Sequence, residues 1–160
     1  MGRKKIKLIV THAKCSKCKM ERILYFAHDF TYGERIVSTK SGRQCAYVNL
    51  LNENIVQELE KYCTEIFSQN GIGVASSKLA RITSCIYGIT CDDINGEKID
   101  TISNTKCPYC HEKMVEDNDF GEHLEEIEMF DVKHSSWVKL GDNEKKEKIL
   151  QELIRQGYLK

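Results

Sequence analysis

The sequence predicts an α+β fold in which a β-rich metal-binding element is joined to a small α/β body. Two pairs of cysteines stand in strand-like surroundings, and two segments repeat apolar residues at helical spacing, near residues 55–69 and 143–156. A chain of 160 residues is long enough to bury a hydrophobic core. We expect residues 1–116 to form one domain with the metal site. Residues 117–160 are expected to pack on it as an acidic segment and a C-terminal helix.

Four strands are predicted in the first third of the chain, at residues 5–11, 21–28, 34–39 and 44–51. These segments are short and rich in β-branched and aromatic residues, which is typical of strands. Ser41-Gly42 supplies a turn between the last two of them.

The first helix, residues 55–69, has the clearest pattern in the chain. Asn54 is its candidate N-cap, and Asn70-Gly71 is a typical helix end. Its apolar residues form one stripe: Ile55, Val56, Leu59, Tyr62, Cys63, Ile66 and Phe67.

Between this helix and the second cysteine pair the pattern is less definite. Residues 78–90 fit a helix by their apolar spacing and a strand by their β-branched content. Asn95-Gly96 predicts a tight hairpin, with residues 97–103 as the strand that leaves it. A further short strand is predicted over residues 112–115.

The C-terminal part begins with a strongly acidic segment, residues 116–131, in which Leu124, Ile127 and Phe130 follow a helical spacing. The last helix is predicted over residues 143–156. Gly157 stands just beyond it, where a glycine commonly ends a helix.

The two Cys-x-x-Cys pairs, Cys15/Cys18 and Cys107/Cys110, predict one structural Zn²⁺ ion as the cofactor of this chain. Each turn brings two thiolates onto one small ion, and two such turns supply the four sulfur ligands of a tetrahedral site. A predicted strand enters each turn and another leaves it. This arrangement resembles the zinc-ribbon architecture, in which two knuckles on β-hairpins hold one zinc ion.

The resemblance extends over about residues 5–28 and 98–116 and identifies no particular family. Ordinary two-pair zinc modules separate their pairs by roughly 15–20 residues. Here 88 residues, 19–106, lie between the pairs, so the metal would join the two ends of a larger body. A cross-link that closes a long loop gives the greatest stabilisation in theory.

A redox role is a second interpretation of the pair at 107/110, because Cys-Pro-Tyr-Cys is also the active-site tetrapeptide of glutaredoxins. Thioredoxin-like folds place the motif after a first strand near the chain start and set a cis-proline opposite it later in the chain. Pro108 is the only proline of this chain and lies inside the motif. The glutaredoxin interpretation therefore fails.

The other four cysteines have no recognisable ligand spacing. Cys63 lies on the apolar stripe of the first helix and Cys45 in a predicted strand, so both are expected in the core. Cys85 and Cys91 are either buried thiols or, together with histidines, members of a second metal site.

The 24 basic and 24 acidic residues cancel, which excludes a globally basic nucleic-acid binder. The charges are nevertheless segregated along the chain. Residues 1–22 hold eight Lys/Arg against Glu21, and residues 112–131 hold nine acidic residues against Lys113. These segments either neutralise each other or present a basic face to a phosphate backbone beside an acidic face.

We expect the protein to be cytoplasmic, because its basic start precedes only a very short apolar run and no segment is long and apolar enough for a membrane span. In a reducing compartment, spaced cysteines are metal ligands or redox groups more often than disulfides. No membrane partner is expected.

Three hypotheses for the function follow. The first is a zinc-stabilised interaction module that binds a nucleic acid or a protein, a choice that the sequence leaves open. The second is a regulatory or immunity-type inhibitor that binds a protein. The third is an enzyme, with polar candidates at His28-Asp29, Glu34 and Arg35 around the Tyr32-Gly33 turn. No catalytic or cofactor-binding constellation is recognised, so a binding role is favoured over catalysis.

Overall fold

A computed structural model describes residues 4–27, 33–50, 54–116 and 122–160. Within these ranges, a mixed six-stranded sheet and several helices form the α+β fold that the sequence predicts. The strands are β1 (Lys4–Cys15), β2 (Glu21–Ala27), β3 (Glu34–Ser38), β4 (Cys45–Asn49), β5 (Met114–Glu116) and β6 (His123–Asp131). The four strands predicted near the N-terminus are confirmed in their described parts.

The sheet has the strand order β2-β1-β6-β4-β3, and β5 pairs with the C-terminal end of β1. Neighbouring strands are antiparallel except β4 and β6, which are parallel. The long strand β1 therefore lies next to β2 on one side and next to β6 and β5 on the other. This position makes β1 the link between the sheet and the first cysteine pair, which begins at its last residue.

The helices are α1 (Asn54–Gln69), α2 (Ser76–Ile86), α3 (Ser135–Val138) and α4 (Asp142–Arg155), with a 3-10 turn over Tyr87–Thr90. The helices predicted near 55–69 and 143–156 are confirmed. The ambiguous segment at 78–90 is helical, and its β-branched residues Ile82 and Thr83 are buried on α2.

The acidic segment is a strand in its described part, although its apolar residues follow a helical spacing. Ile127 and Met129 alternate as strand residues do, with Ile6 and Lys4 as their partners on β1. Met129 is fully buried among the strands. The partner strand lies far away in sequence, so local spacing could not reveal this pairing.

The predicted strand at 97–103 is also wrong as a continuous element. The hairpin at Asn95-Gly96 does form, because Ile94 and Glu97 pair through two backbone hydrogen bonds of 3.0 Å each. Beyond it, the chain makes an isolated bridge between Ile99 and Thr39. The segment 98–102 thus lies against the β3–β4 connection without extending the sheet.

The turn between β3 and β4 depends on Gly42. Its φ of +79° is unfavourable for other residues, and a Cβ built there would lie 2.1 Å from the carbonyl oxygen of Ile23 on β2. The Ile23 N–H donates to the Ser41 carbonyl at 3.1 Å. The missing side chain therefore lets β2 approach the β3–β4 turn.

The main hydrophobic core lies between the helices and the β3–β4 hairpin, and it includes Leu59 on α1, Ile86 on α2 and Ile149 on α4. Gly157, at a φ of +87°, ends α4 as predicted, and the Tyr158 N–H donates to the Leu153 carbonyl at 2.8 Å. A separate, smaller cluster of buried residues contains the first cysteine of each pair, Cys15 and Cys107.

The two oppositely charged segments of the sequence meet directly in the sheet. In the β1–β6 register, Lys5 lies opposite Glu128 and Lys7 lies opposite Glu126. Opposite charges in directly paired positions stabilise a sheet. For these residues, the basic segment and the acidic segment therefore pair with each other inside the fold.

We expect the double change Lys5→Glu and Lys7→Glu to lower the free energy of unfolding by about 1–2 kcal/mol, because each attractive cross-strand pair becomes repulsive. Denaturant titration followed by circular dichroism measures this loss, which should shrink at high salt. Adding Glu126→Lys and Glu128→Lys should restore stability. An unchanged stability of the double variant would show that the pairs contribute nothing.

Candidate metal centre

Each Cys-x-x-Cys pair forms the same tight turn. The backbone N–H of Cys15 donates to the Met20 carbonyl at 2.9 Å, and the N–H of Cys107 donates to the Glu112 carbonyl at 2.7 Å. Both bonds span five residues, so the two turns close in the same way. We call residues 15–19 the first knuckle and residues 107–111 the second knuckle.

The residue after the second cysteine has a left-handed backbone in both knuckles. Lys19 has a φ of 65° and His111 a φ of 67°, although neither is glycine. The match at equivalent positions indicates that the knuckle itself imposes this conformation, which turns the chain back after the second cysteine.

The two knuckles bring all four predicted sulfur ligands together. The Sγ atoms of Cys15 and Cys110 lie 3.3 Å apart, and those of Cys18 and Cys107 lie 3.7 Å apart. All four sulfurs lie within 4.8 Å of one another. These distances exceed the roughly 2.05 Å of a disulfide and suit four sulfurs that share one ion. The cluster can therefore hold a metal.

Backbone N–H groups point at the first cysteine of each knuckle. Lys17 and Cys18 donate to the Cys15 Sγ at 3.4 Å each, and Tyr109 donates to the Cys107 Sγ at 3.4 Å. Such bonds stabilise a thiolate, which is the form of cysteine that binds a metal.

The thiols of Cys15 and Cys18 differ in pKa. Burial raises the pKa of Cys15, but hydrogen bonds from the backbone N–H groups of Cys18 and Lys17 and with the thiols of Cys110 and Cys18 together outweigh burial and leave the pKa below its usual value. The Met20 backbone N–H lowers the pKa of Cys18. Burial and the three neighbouring thiols raise it by more, so the pKa lies above its usual value. Like charges at this separation cannot all ionise without a cation, and a dication would remove that obstacle.

The strands next to the knuckles join them directly. In the β1–β5 pairing, Cys15 lies opposite Met114, which comes four residues after Cys110. The Ser16 N–H and the Ser16 hydroxyl both donate to the Lys113 carbonyl at 3.0 Å. Pairing of β1 with β5 therefore brings the second knuckle to the first.

The C-terminal helix holds the second knuckle from the other side. The Arg155 guanidinium donates to the Pro108 carbonyl at 3.1 Å and lies 3.1 Å from the His111 Nε2. It also forms an ion pair of 3.1 Å with the buried Asp100 and pairs with Glu152. Nothing local in the sequence marks Arg155, because Pro108, His111 and Asp100 lie about 50 positions away from it.

The remaining cysteines lie apart from this cluster. Cys63 and Cys45 are fully buried, as predicted, and the Cys45 thiol lies 3.4 Å from the Met129 sulfur. Cys85 and Cys91 are half-buried. Among the described residues, the four knuckle cysteines are the one group with metal-ligand geometry. Neither Cys85 nor Cys91 belongs to that group.

The polar residues proposed for an enzyme are only partly described. Residues 28–32, with His28, Asp29 and Tyr32, lie outside the described ranges. Glu34 accepts a hydrogen bond of 3.1 Å from the Tyr47 hydroxyl, and Arg35 donates to the Ser84 carbonyl at 2.8 Å. Both described side chains therefore take part in bonds between elements of the fold.

Comparison with family models, with curated proteins and with solved structures finds no match to this chain. In the part of the chain that the structure describes, no helix has the length and apolar character that crossing a membrane requires.

We expect Cys107→Ser to abolish stoichiometric metal binding, because one of four ligands and a buried anchor of the second knuckle are lost. Native mass spectrometry and the thiolate absorption of bound Co²⁺ measure the occupancy. Cys85→Ser, which changes a half-buried thiol outside the cluster, is the matched control and should bind one ion as the unchanged chain does. Retention of full occupancy by Cys107→Ser would contradict the four-sulfur site.

Metal binding should release protons, since thiols bind metals as thiolates. The pKa values of Cys18 and Cys110 are raised, so these two groups carry protons at pH 7 in the metal-free chain. We therefore expect at least about two protons released per ion and an affinity that falls as pH falls. Calorimetric titration in buffers of different ionisation enthalpy counts the protons; a count near zero would contradict the expectation.

Proposed function

We propose that this chain is a zinc-stabilised interaction module that binds a protein partner. The observation that carries the proposal is the convergence of four cysteine sulfurs from two matching knuckles. Four sulfurs about 2.3 Å from one Zn²⁺ ion lie about 3.8 Å apart in a tetrahedron. The sulfur pairs at 3.3 and 3.7 Å are close to that spacing.

Zinc fits this ligand set better than other common divalent ions. Thiolates favour soft or borderline metals such as zinc, whereas magnesium and calcium prefer oxygen ligands. Four protein ligands also leave no position for a reactive water or a substrate, which is typical of structural zinc. The site is thus suited to holding the chain together, and the proposed function lies on the surface that it supports.

The surface around the knuckles carries apolar side chains that are unusually exposed. Met20 directly follows the first knuckle and is 45% exposed, and Tyr109 lies within the second knuckle and is 42% exposed. Val115 on the adjacent strand β5 is 50% exposed. Methionine and aromatic residues are enriched in protein interfaces, and rigid side chains lose less entropy on binding. We infer that these three residues contact the partner.

The charges favour a protein over a phosphate backbone. Most described basic side chains of the N-terminal segment have partners within the chain. Lys7 lies opposite Glu126, Lys14 lies opposite Glu21 in the β1–β2 register, and the Lys17 Nζ is 3.8 Å from Glu112. A lysine that already faces a carboxylate offers little net charge to a nucleic acid.

The proposal is tested by site-specific photo-cross-linking with a reactive residue at position 109 or, as the control, at Val138, which is 63% exposed on α3. In an extract of the source cells, position 109 should cross-link to one defined protein, and chelation should abolish the product. Position 138 should give none. Once that partner is purified, Tyr109→Ala should weaken its binding at least about tenfold, as expected of an interface aromatic, whereas Val138→Ala should not.

Two results would overturn the proposal. Cross-links that persist unchanged after chelation would show that the metal-held surface is not the binding surface. Salt-dependent binding of DNA or RNA oligonucleotides that is lost in a Lys14→Glu, Lys17→Glu, Lys19→Glu variant would support the nucleic-acid alternative instead.

A further inference from the structure

Arg22 is a buried arginine at the base of the metal centre. Its side chain, on β2, is only 3% exposed. One terminal nitrogen donates to the carbonyl of Asp100 at 2.7 Å, to the carbonyl of Thr39 at 3.4 Å and to the Ser38 hydroxyl at 3.3 Å. All three acceptors are neutral, so these bonds do not balance the charge of the guanidinium.

The rest of the guanidinium has no hydrogen-bond partner. Its Nε atom and its other terminal nitrogen are buried and make no bond. These two atoms carry three of the five N–H groups of an arginine. Buried donors without an acceptor are costly and rare in folded proteins, so this arrangement requires an explanation.

The position of Arg22 in the sheet explains its unpaired donors. In the β1–β2 register Arg22 lies directly opposite Ala13, and directly paired residues share one face of a sheet. Ala13 belongs to the small buried cluster that contains Cys15 and Cys107. The Arg22 side chain therefore lies on the face of the sheet that carries the metal centre.

The nearest carboxylate is already engaged. The Asp100 side chain pairs with Arg155 at 3.1 Å and accepts the Ile102 N–H at 3.0 Å. Burial lowers the pKa of Arg22, and the charges of Asp100, Tyr109 and Cys107 oppose that shift. One knuckle cysteine is thus close enough to Arg22 to interact with its charge.

We propose that Arg22 is the built-in counter-charge of the metal–thiolate centre. This inference rests on the proposed zinc site. Four thiolates around one dication leave an excess of two negative charges, and Arg22 is a buried cation on the sheet face that carries Cys15. A guanidinium is well suited to this role because it is always charged and is weakly hydrated. Arg22 acts through the thiolates, so it is a positioning residue rather than a ligand.

The proposal predicts opposite effects on the two states of the protein. In the metal-free chain, Arg22 is a buried charge with unmet donors, so the three hydrogen bonds lost on replacing it by an apolar residue of similar size are offset by removal of that unpaired buried charge. In the metal-bound chain, the same replacement removes the counter-charge. Loss of an outer-shell partner typically weakens metal binding roughly 10- to 100-fold. A purely structural arginine would lower the stability of both states alike.

The test compares Arg22→Met, Arg22→Lys and the control Arg35→Met in the full chain. Arg35 is half-buried and also donates to a backbone carbonyl, but its charged neighbours are Cys85, Cys91 and Tyr87 rather than the knuckles. Chelator competition measures the Zn²⁺ and Co²⁺ dissociation constants, and thermal denaturation with and without metal measures the stability of each state.

We expect Arg22→Met to weaken binding of both ions roughly 10- to 100-fold without lowering the melting temperature of the metal-free chain. Arg22→Lys, which keeps the charge, should recover most of the affinity. Arg35→Met should leave the affinity unchanged.

Two results would overturn the role of Arg22. One is an Arg22→Met variant that binds Zn²⁺ and Co²⁺ as tightly as the unchanged chain. The other is a metal-free Arg22→Met variant that melts at a lower temperature or no longer folds. Failure of the unchanged chain to bind either ion would instead overturn the proposed zinc site, and the counter-charge with it.

Discussion

The meeting of two cysteine knuckles from distant parts of the chain is the constraint on which this fold depends. The 88 residues between the two cysteine pairs must bring their end back to their beginning, so that the four sulfurs lie within 4.8 Å of one another. Two contacts do this without a metal: β5 pairs with the end of β1, and Arg155 binds the Pro108 carbonyl. An ion bound by the four sulfurs would add to a geometry that the backbone already favours.

The pairing of β1 with β6 explains how charge is distributed. The N-terminal lysines appear in the sequence as a basic tail, yet Lys5 and Lys7 are matched by glutamates on β6. Arg22 counts as one more positive charge in that segment, but it is buried beside the knuckles. A count of charges along the chain therefore overstates the basic surface, because strand pairing places the opposite charges beside it.

What the sequence allowed us to predict was local chemistry and local periodicity. The two long helices follow from their apolar stripes, and the four clustered cysteines follow from the spacing that two knuckles require. The helical spacing of apolar residues in 116–131 gave no sign of strand β6, because its pairing partner β1 lies more than a hundred residues earlier. The roles of Arg22 and Arg155 could not be predicted for the same reason, since their partners are close only in the folded chain. The strand predicted at 97–103 is wrong for a different reason, because a correctly predicted turn does not guarantee a strand after it.

The position of β1 between β2 and β6 has a consequence for the newly made protein. During synthesis, β1 can form a hairpin with β2 early, but its other edge stays open until residues 114–131 have emerged. At about 5–20 residues per second, that wait is on the order of ten seconds. An unpaired strand edge invites association with other chains, and charged lysines along an edge discourage it. Lys5 and Lys7 lie along that edge, where their charge opposes such association until the glutamates of β6 pair with them.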